Sequence, residues 1–223
     1  MGTTLGKMLK SKKNVLWEAL IITIVIFLVG LFLGMLLETS NSTKISNLFT
    51  RSEISLTDAT TASKLTEDFD FDCEVIKKNN IDFADRIYEE AKELEKYEES
   101  GKLTDSMKIL HKKYDLMRTI LWVSNQKALD KCKNYGLIVY LYEYNSEDTN
   151  KKATQNVWSK ILLDVKQQNE NVLLLPIAAD QNLISLDLLK SEYGIKEFPA
   201  LVINNENIVY DVQNIEQIQA LLN

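Results

Sequence analysis

Cysteine is almost absent from this chain. Its 223 residues hold only Cys73 and Cys132, and no C-x-x-C pair exists. Histidine is reduced to His111, so a hydrolytic serine would have a single imidazole to draw on as its base. Proline occurs twice and glycine seven times, while Lys, Asn and Ile are abundant; this is a compositional bias that carries no function by itself. Basic residues are also outnumbered, 26 against 32, for a net charge of −6. The first 37 residues contribute +3 through Lys7, Lys10, Lys12 and Lys13 against Glu18, leaving −9 for the remainder. An acidic body of this kind lacks the clustered cations that phosphate contacts require, which excludes nucleic acid as a partner.

Charge is missing altogether from "ALIITIVIFLVGLFLGMLL", residues 19–37. As a helix these residues span roughly 28 Å, about the thickness of a bilayer core. Trp17 stands where an interfacial aromatic belongs. A cleaved signal peptide is the rival reading, but the run is long for one and no A-x-A-like site follows in "MLLETSNS". Lysines before the span and few after it place residues 1–13 in the cytoplasm as a basic tail. Residues 14–37 are then a single-pass anchor in the cell membrane, with the rest of the chain outside. Gly30 and Gly34 form a GxxxG pattern, which admits a homodimer through close helix approach.

Residues 38–63 contain twelve Ser or Thr and no Pro. They read as a polar tether, taken as residues 38–66, with a short helix admissible in the second half. "NST" at Asn41 matches a glycosylation sequon close to the membrane. Two helix-period segments follow. The first carries Ile81, Ala84, Tyr88, Ala91 and Leu94 on one face; the second carries Leu110, Tyr114, Met117, Leu121 and Ala128. Ser100-Gly101-Lys102 separates them. The arrangement predicts an antiparallel helical hairpin over residues 67–133, and the imperfect heptads argue against a coiled-coil dimer.

From Gly136 the hydrophobic period changes. "GLIVYLYEYN" reads as a strand, "TNKKATQNVWSKILLDVKQQ" as a helix with Ala153, Val157, Ile161 and Val165 inward, and "NVLLLPIAA" as a buried strand. A helix ending at Gly194, two short strands about an Asn-rich turn and a closing helix complete the order βαβαββα over residues 136–223. The expected class is α/β with a parallel pair and an antiparallel hairpin in one sheet.

The stretch "EYGIKEFPALVINNENIVY" within that order resembles the thioredoxin-like fold family. The resemblance covers residues 136–223. In that family a helix ends at a Tyr-Gly-Ile-like turn, and a cis-proline begins the next strand; Pro199 after Phe198 stands at that position. The full layout of anchor, tether, hairpin and domain is similar to membrane-bound thioredoxin-like proteins of archaea. The family's C-x-x-C follows the first of these strands and opens the next helix. Here that place holds Ser146-Glu147-Asp148-Thr149, with Ser146 and Thr149 where the cysteines would be. A hydroxyl forms no disulfide, so the resemblance implies a degenerate site with no catalytic residue and no cofactor. Nothing in the sequence places His111 near Ser146, and His111 reads as a surface residue. Glu147 and Asp148 lack a third ligand in register, so no metal site is expected. Asn145 or Ser146 is expected to cap the helix.

Cys73 and Cys132 fall 27 residues before and 31 after the Ser100-Gly101 break. Antiparallel helices bring those levels close, which predicts a structural disulfide; two buried thiols or a redox pair are the alternatives. A strand's length, roughly 30 Å, separates Cys132 from Ser146. The resemblance further implies that Tyr144, Asn145, Phe198 and Pro199 border the surface on which thioredoxins hold an extended peptide. The expected function is binding of a protein or peptide partner, or scaffolding. A thiol–disulfide oxidoreductase using Cys73 and Cys132 is the alternative.

Overall fold

The computed structural model of the chain describes residues 3–98 and 105–222, with side chains described for residues 15–36, 43–96 and 105–222. The Asn41 side chain and the Ser100-Gly101-Lys102 break lie outside them. The chain divides into two compact units, Met1–Asn47 and Leu48–Asn223, each considered by itself below. Helix α1 runs Thr3–Asp68 and contributes to both.

In the first unit, Val15–Leu36 is long and apolar enough to cross a membrane, and its side chains are exposed. No neighbouring atom lies within 4 Å of where a Cβ would sit on Gly30 or Gly34.

The second unit begins inside the stretch expected to be a tether. Residues 48–68 are helical instead, and Leu48, Ser52, Ser55 and Ala59 are buried. The hydroxyls that suggested a linker turn back onto the helix. Thr57 Oγ1 donates to the Glu53 carbonyl at 3.0 Å, and Thr61 Oγ1 to the Thr57 carbonyl at 2.8 Å. That pattern satisfies polar side chains without leaving the helical backbone.

Helices α2 (Cys73–Glu98) and α3 (Asp105–Ser124) pack on each other, and α4 (Gln126–Lys131) continues the path. The α3 stripe is buried as its period predicts. On α2 Ala84, Ala91 and Leu94 are buried as expected, joined by Phe83 and Ile87, while Tyr88 is exposed. Where α3 meets α4, Asn125 is buried and takes hydrogen bonds from Asn80 Nδ2 (2.9 Å) and the Tyr135 hydroxyl (2.5 Å). Buried amides need such partners, and here they join α2 to the entrance of the sheet.

The sheet comprises β1 (Gly136–Tyr142), β2 (Val172–Ala178), β3 (Ala200–Ile203) and β4 (Asn207–Val209), in the order β2-β1-β3-β4. Strand β1 is buried from Gly136 to Leu141 because it is central, running parallel to β2 and antiparallel to β3. Strand β2 is an edge, which allows Pro176 within it despite the missing N–H donor. Asn204 and Asn205, at φ of 52° and 59°, make the turn into β4, a conformation that asparagine tolerates.

Helix α5 (Thr149–Gln168) joins β1 to β2, α6 (Ile184–Glu192) joins β2 to β3, and α7 (Ile215–Leu222) follows β4. Gly194, at φ 64°, supplies the left-handed residue just past α6. The core over one sheet face gathers Ile138, Tyr140, Leu201 and Ile203 with Trp158, Leu162 and Val165 of α5 and Ile218 of α7. The inward face of α5 is therefore Gln155, Trp158, Leu162 and Val165, rotated from the expected one; Ala153 and Val157 are exposed. Trp158 buries far more apolar area than Ala153 or Val157, and that outweighs the smaller β-branched alternative.

The boundary expected near residues 133–136 does not divide the second unit. The Trp122 indole of α3 donates to Asn205 Oδ1 at 2.8 Å and stacks on Tyr193 at 5.2 Å. Lys112 donates to the Asn182 carbonyl at 3.1 Å. Helix α3 is a wall of the α/β part.

Candidate functional site

The β1–α5 turn is held from both sides. On one side, Gln155 of α5 clamps Glu143: its Oε1 accepts from the Glu143 N–H at 2.9 Å and its Nε2 donates to the Glu143 carbonyl at 3.0 Å. On the other, Asp180, just past β2, accepts from the backbone N–H groups of Tyr144 (3.0 Å) and Asn145 (2.8 Å). Charge-assisted bonds of this kind are among the stronger ones available to a turn.

Asp148 caps α5, accepting from the N–H groups of Asn150 (2.8 Å) and Lys151 (3.3 Å). The cap expected at Asn145 or Ser146 thus falls two or more residues later. The chain needs those extra residues to leave the sheet before it enters the helix. Ser146 is buried and Thr149 is the first helical residue, exposed beside the solvated Glu147.

The Phe198–Pro199 peptide bond is cis. In the β1–β3 register Leu141 lies opposite Ala200, so one further step sets Pro199 across from Tyr142. Lys190 of α6 donates to the Ala179 carbonyl at 3.0 Å and lies 5.8 Å from the Phe198 ring centroid. The fold therefore gathers Tyr144, Asn145, Ser146 and Thr149 with Phe198 and Pro199 at one end of the sheet. Phe198 and Pro199 are half-buried and Asn145 is exposed.

His111 does not stand on the surface. It is buried, and its ring lies 4.8 Å from that of Tyr144, tilted against it. The packing of α3 against the sheet, unreadable from local sequence, brings it beside the turn. Among the described residues Ser146 makes no side-chain hydrogen bond, to His111 or otherwise, so the pairing that would activate a serine is not made.

One turn along α3, Asp115 is buried with Arg118, whose Nη1 donates to Asp115 Oδ1 at 3.2 Å. The Ala178 N–H donates to the same oxygen at 3.2 Å. Burial pushes the Asp115 carboxyl up to about 6, against the opposing pull of Arg118 and the Ala178 amide. Burial likewise raises the Tyr142 hydroxyl, with the Asp115 charge adding to the effect. Asp115, Asp180 and Gln155 are the site residues that sequence reading missed, and no motif marks them.

Cys73 and Cys132 are bonded to each other, their Cα atoms 5.5 Å apart. Cys132 precedes β1 at Gly136, whereas the turn follows Tyr142. A seven-residue strand between them covers roughly 20 Å. The disulfide thus lies at the opposite end of β1 from the turn. Among the described residues no cluster of His, Cys, Asp or Glu is arranged to hold a metal ion.

No protein-family model matches the chain, and no curated protein matches it in sequence.

Proposed function

We propose that this chain is a membrane-anchored binding protein whose extracytoplasmic part is a thioredoxin-like domain that is redox-inactive at the usual position. Several observations support the reading. The parallel β1–β2 pair and the antiparallel β3–β4 hairpin in one sheet agree with the expected βαβαββα order. The apolar Val15–Leu36 segment fits an anchor with its basic end in the cytoplasm. Helices α2 and α3 fit the expected hairpin, which here braces the domain.

The observation that carries the reading is that Ser146 and Thr149 stand after β1, where the resemblance implies two cysteines, while both cysteines of the chain are bonded to each other at the other end of that strand. The surface formed by the turn, Phe198 and Pro199 has the exposed Asn145, a half-buried aromatic and no thiol. It suits an extended segment of a partner protein that adds backbone hydrogen bonds and seats an apolar side chain against Phe198.

The test uses the full chain in phosphatidylcholine nanodiscs and carboxymethylated α-lactalbumin as a permanently unfolded chain. Phe198→Ala, and separately a Ser146→Ala, Pro199→Ala double variant, should each weaken binding about fivefold, a loss of ~1 kcal/mol. Ile208→Ala on β4 should leave it unchanged. Equal binding by all four proteins would remove the proposed surface.

A further inference from the structure

We propose that the cleft between α2 and α5, over the β2 edge of the sheet, is a binding site for a small aromatic carboxylate. This cleft shares Glu143 and Tyr144 with the turn but is not lined by Asn145, Phe198 or Pro199, and the inference does not depend on the peptide-binding reading. Its cavity volume is about 500 Å³, within the range of small-ligand sites.

Side chains that α2 and α5 leave outside the core line it. Because Ile87 turns inward on α2, Tyr88 is left 39% exposed on the cleft wall; because Trp158 and Leu162 turn inward on α5, Leu163 is left 36% exposed opposite. Strand β2 has no further strand beside it, so its edge closes neither side. The floor is Tyr140, Tyr142, Leu174 and Pro176. The two tyrosine rings are stacked at 5.5 Å. Flat rings and a proline make a floor that favours an aromatic ligand over a branched aliphatic one.

The cleft is lined by Glu95 and Glu143 against Lys92, Arg118, Lys152 and Lys160, and that positive excess selects the other end of the ligand. Glu143 is already engaged by Lys151 at 2.8 Å, and Arg118 by Asp115 at 3.2 Å. Lys152 and Lys160, both exposed, line the cleft and form no ion pair among the described residues. They lie eight residues apart on α5, with Asn156 midway and also lining the cleft. Steps of four residues place all three on one helix face, spread over roughly 12 Å. A carboxylate at the level of Asn156 is within reach of an amide donor and two flexible ammonium groups, while its ring lies on the tyrosine floor.

The test is equilibrium dialysis of naphthoate, and of uncharged naphthylmethanol, against the full chain in phosphatidylcholine nanodiscs, with empty nanodiscs as reference. Naphthoate should bind saturably, one per chain, about tenfold more tightly than the alcohol. A Lys152→Gln, Lys160→Gln variant should weaken naphthoate about tenfold and leave the alcohol unchanged. Leu163→Trp, which fills the cleft from its rim, should weaken both. No saturable binding above empty nanodiscs, equal affinity for the two probes, or naphthoate binding unmoved by either variant would overturn the proposal.

Discussion

Asp115 of α3 accepts a hydrogen bond from the backbone N–H of Ala178, the last residue of β2, at 3.2 Å. One buried carboxylate thus ties the helical wall to the strand end that carries Asp180 and, through it, the turn. Its charge is costly. Burial, with a smaller push from Asp180, lifts the carboxyl to about 6 even with Arg118 beside it. Unfolded Asp titrates near ~3.9, so between about pH 4 and about pH 6 the folded chain holds more protons than the unfolded one. Stability from this group is therefore greatest in acid and declines as pH rises through that window, by roughly 3 kcal/mol. The unfolding free energy of the parent minus that of Asp115→Asn, followed by denaturant titration, should fall over that window and level off above it. A difference independent of pH would refute the assignment.

Asp180 holds the turn by two backbone amides. In Asp180→Ala the Tyr144 and Asn145 amides should exchange hydrogen faster, and the domain should lose about 1–3 kcal/mol, because two donors lose a charged acceptor. Gln155 still grips Glu143, so exchange at Glu143 should change little.

The helix start depends on Asp148 and not on Ser146. Asp148→Ala should cost about 1 kcal/mol, whereas Ser146→Ala should stay within ~0.5 kcal/mol by thermal melting. Equal losses would return the cap to the position read from sequence.

The Cys73–Cys132 bond closes a loop with a sequence separation of 59. On the chain-entropy account a Cys73→Ser, Cys132→Ser variant should be less stable by about 4 kcal/mol. Denaturant unfolding of oxidised parent and variant measures it directly.

Strand β1 was legible because Leu137 to Tyr142 is a continuous apolar run, which a central strand requires. The cysteine pairing was legible because only two candidates exist, one at the start of α2 and one just past α4. What was lost lay in competition between close alternatives. The face of α5 slipped because Trp158 outweighs neighbours that fit a helical period equally well, whereas α2 kept Ala84, Ala91 and Leu94 inward and left only Tyr88 exposed. The Ser- and Thr-rich stretch looked like a linker, since composition does not reveal hydroxyls bonding back to carbonyls, as Thr57 and Thr61 do. His111 and Asp115 reach the turn only through the docking of α3 on the sheet, a contact with no local sequence signature.

Disulfide reduction of insulin by the full chain, with dithiothreitol as electron source, tests the central claim most directly. The parent should give no rate above dithiothreitol alone, and Cys73→Ser should match it. A Ser146→Cys, Thr149→Cys variant should acquire activity, because it puts a C-x-x-C pair at the entrance to α5, where the dipole favours a thiolate. A parent that reduces insulin, with the rate abolished by Cys73→Ser, would contradict the account and assign the chemistry to the Cys73–Cys132 pair.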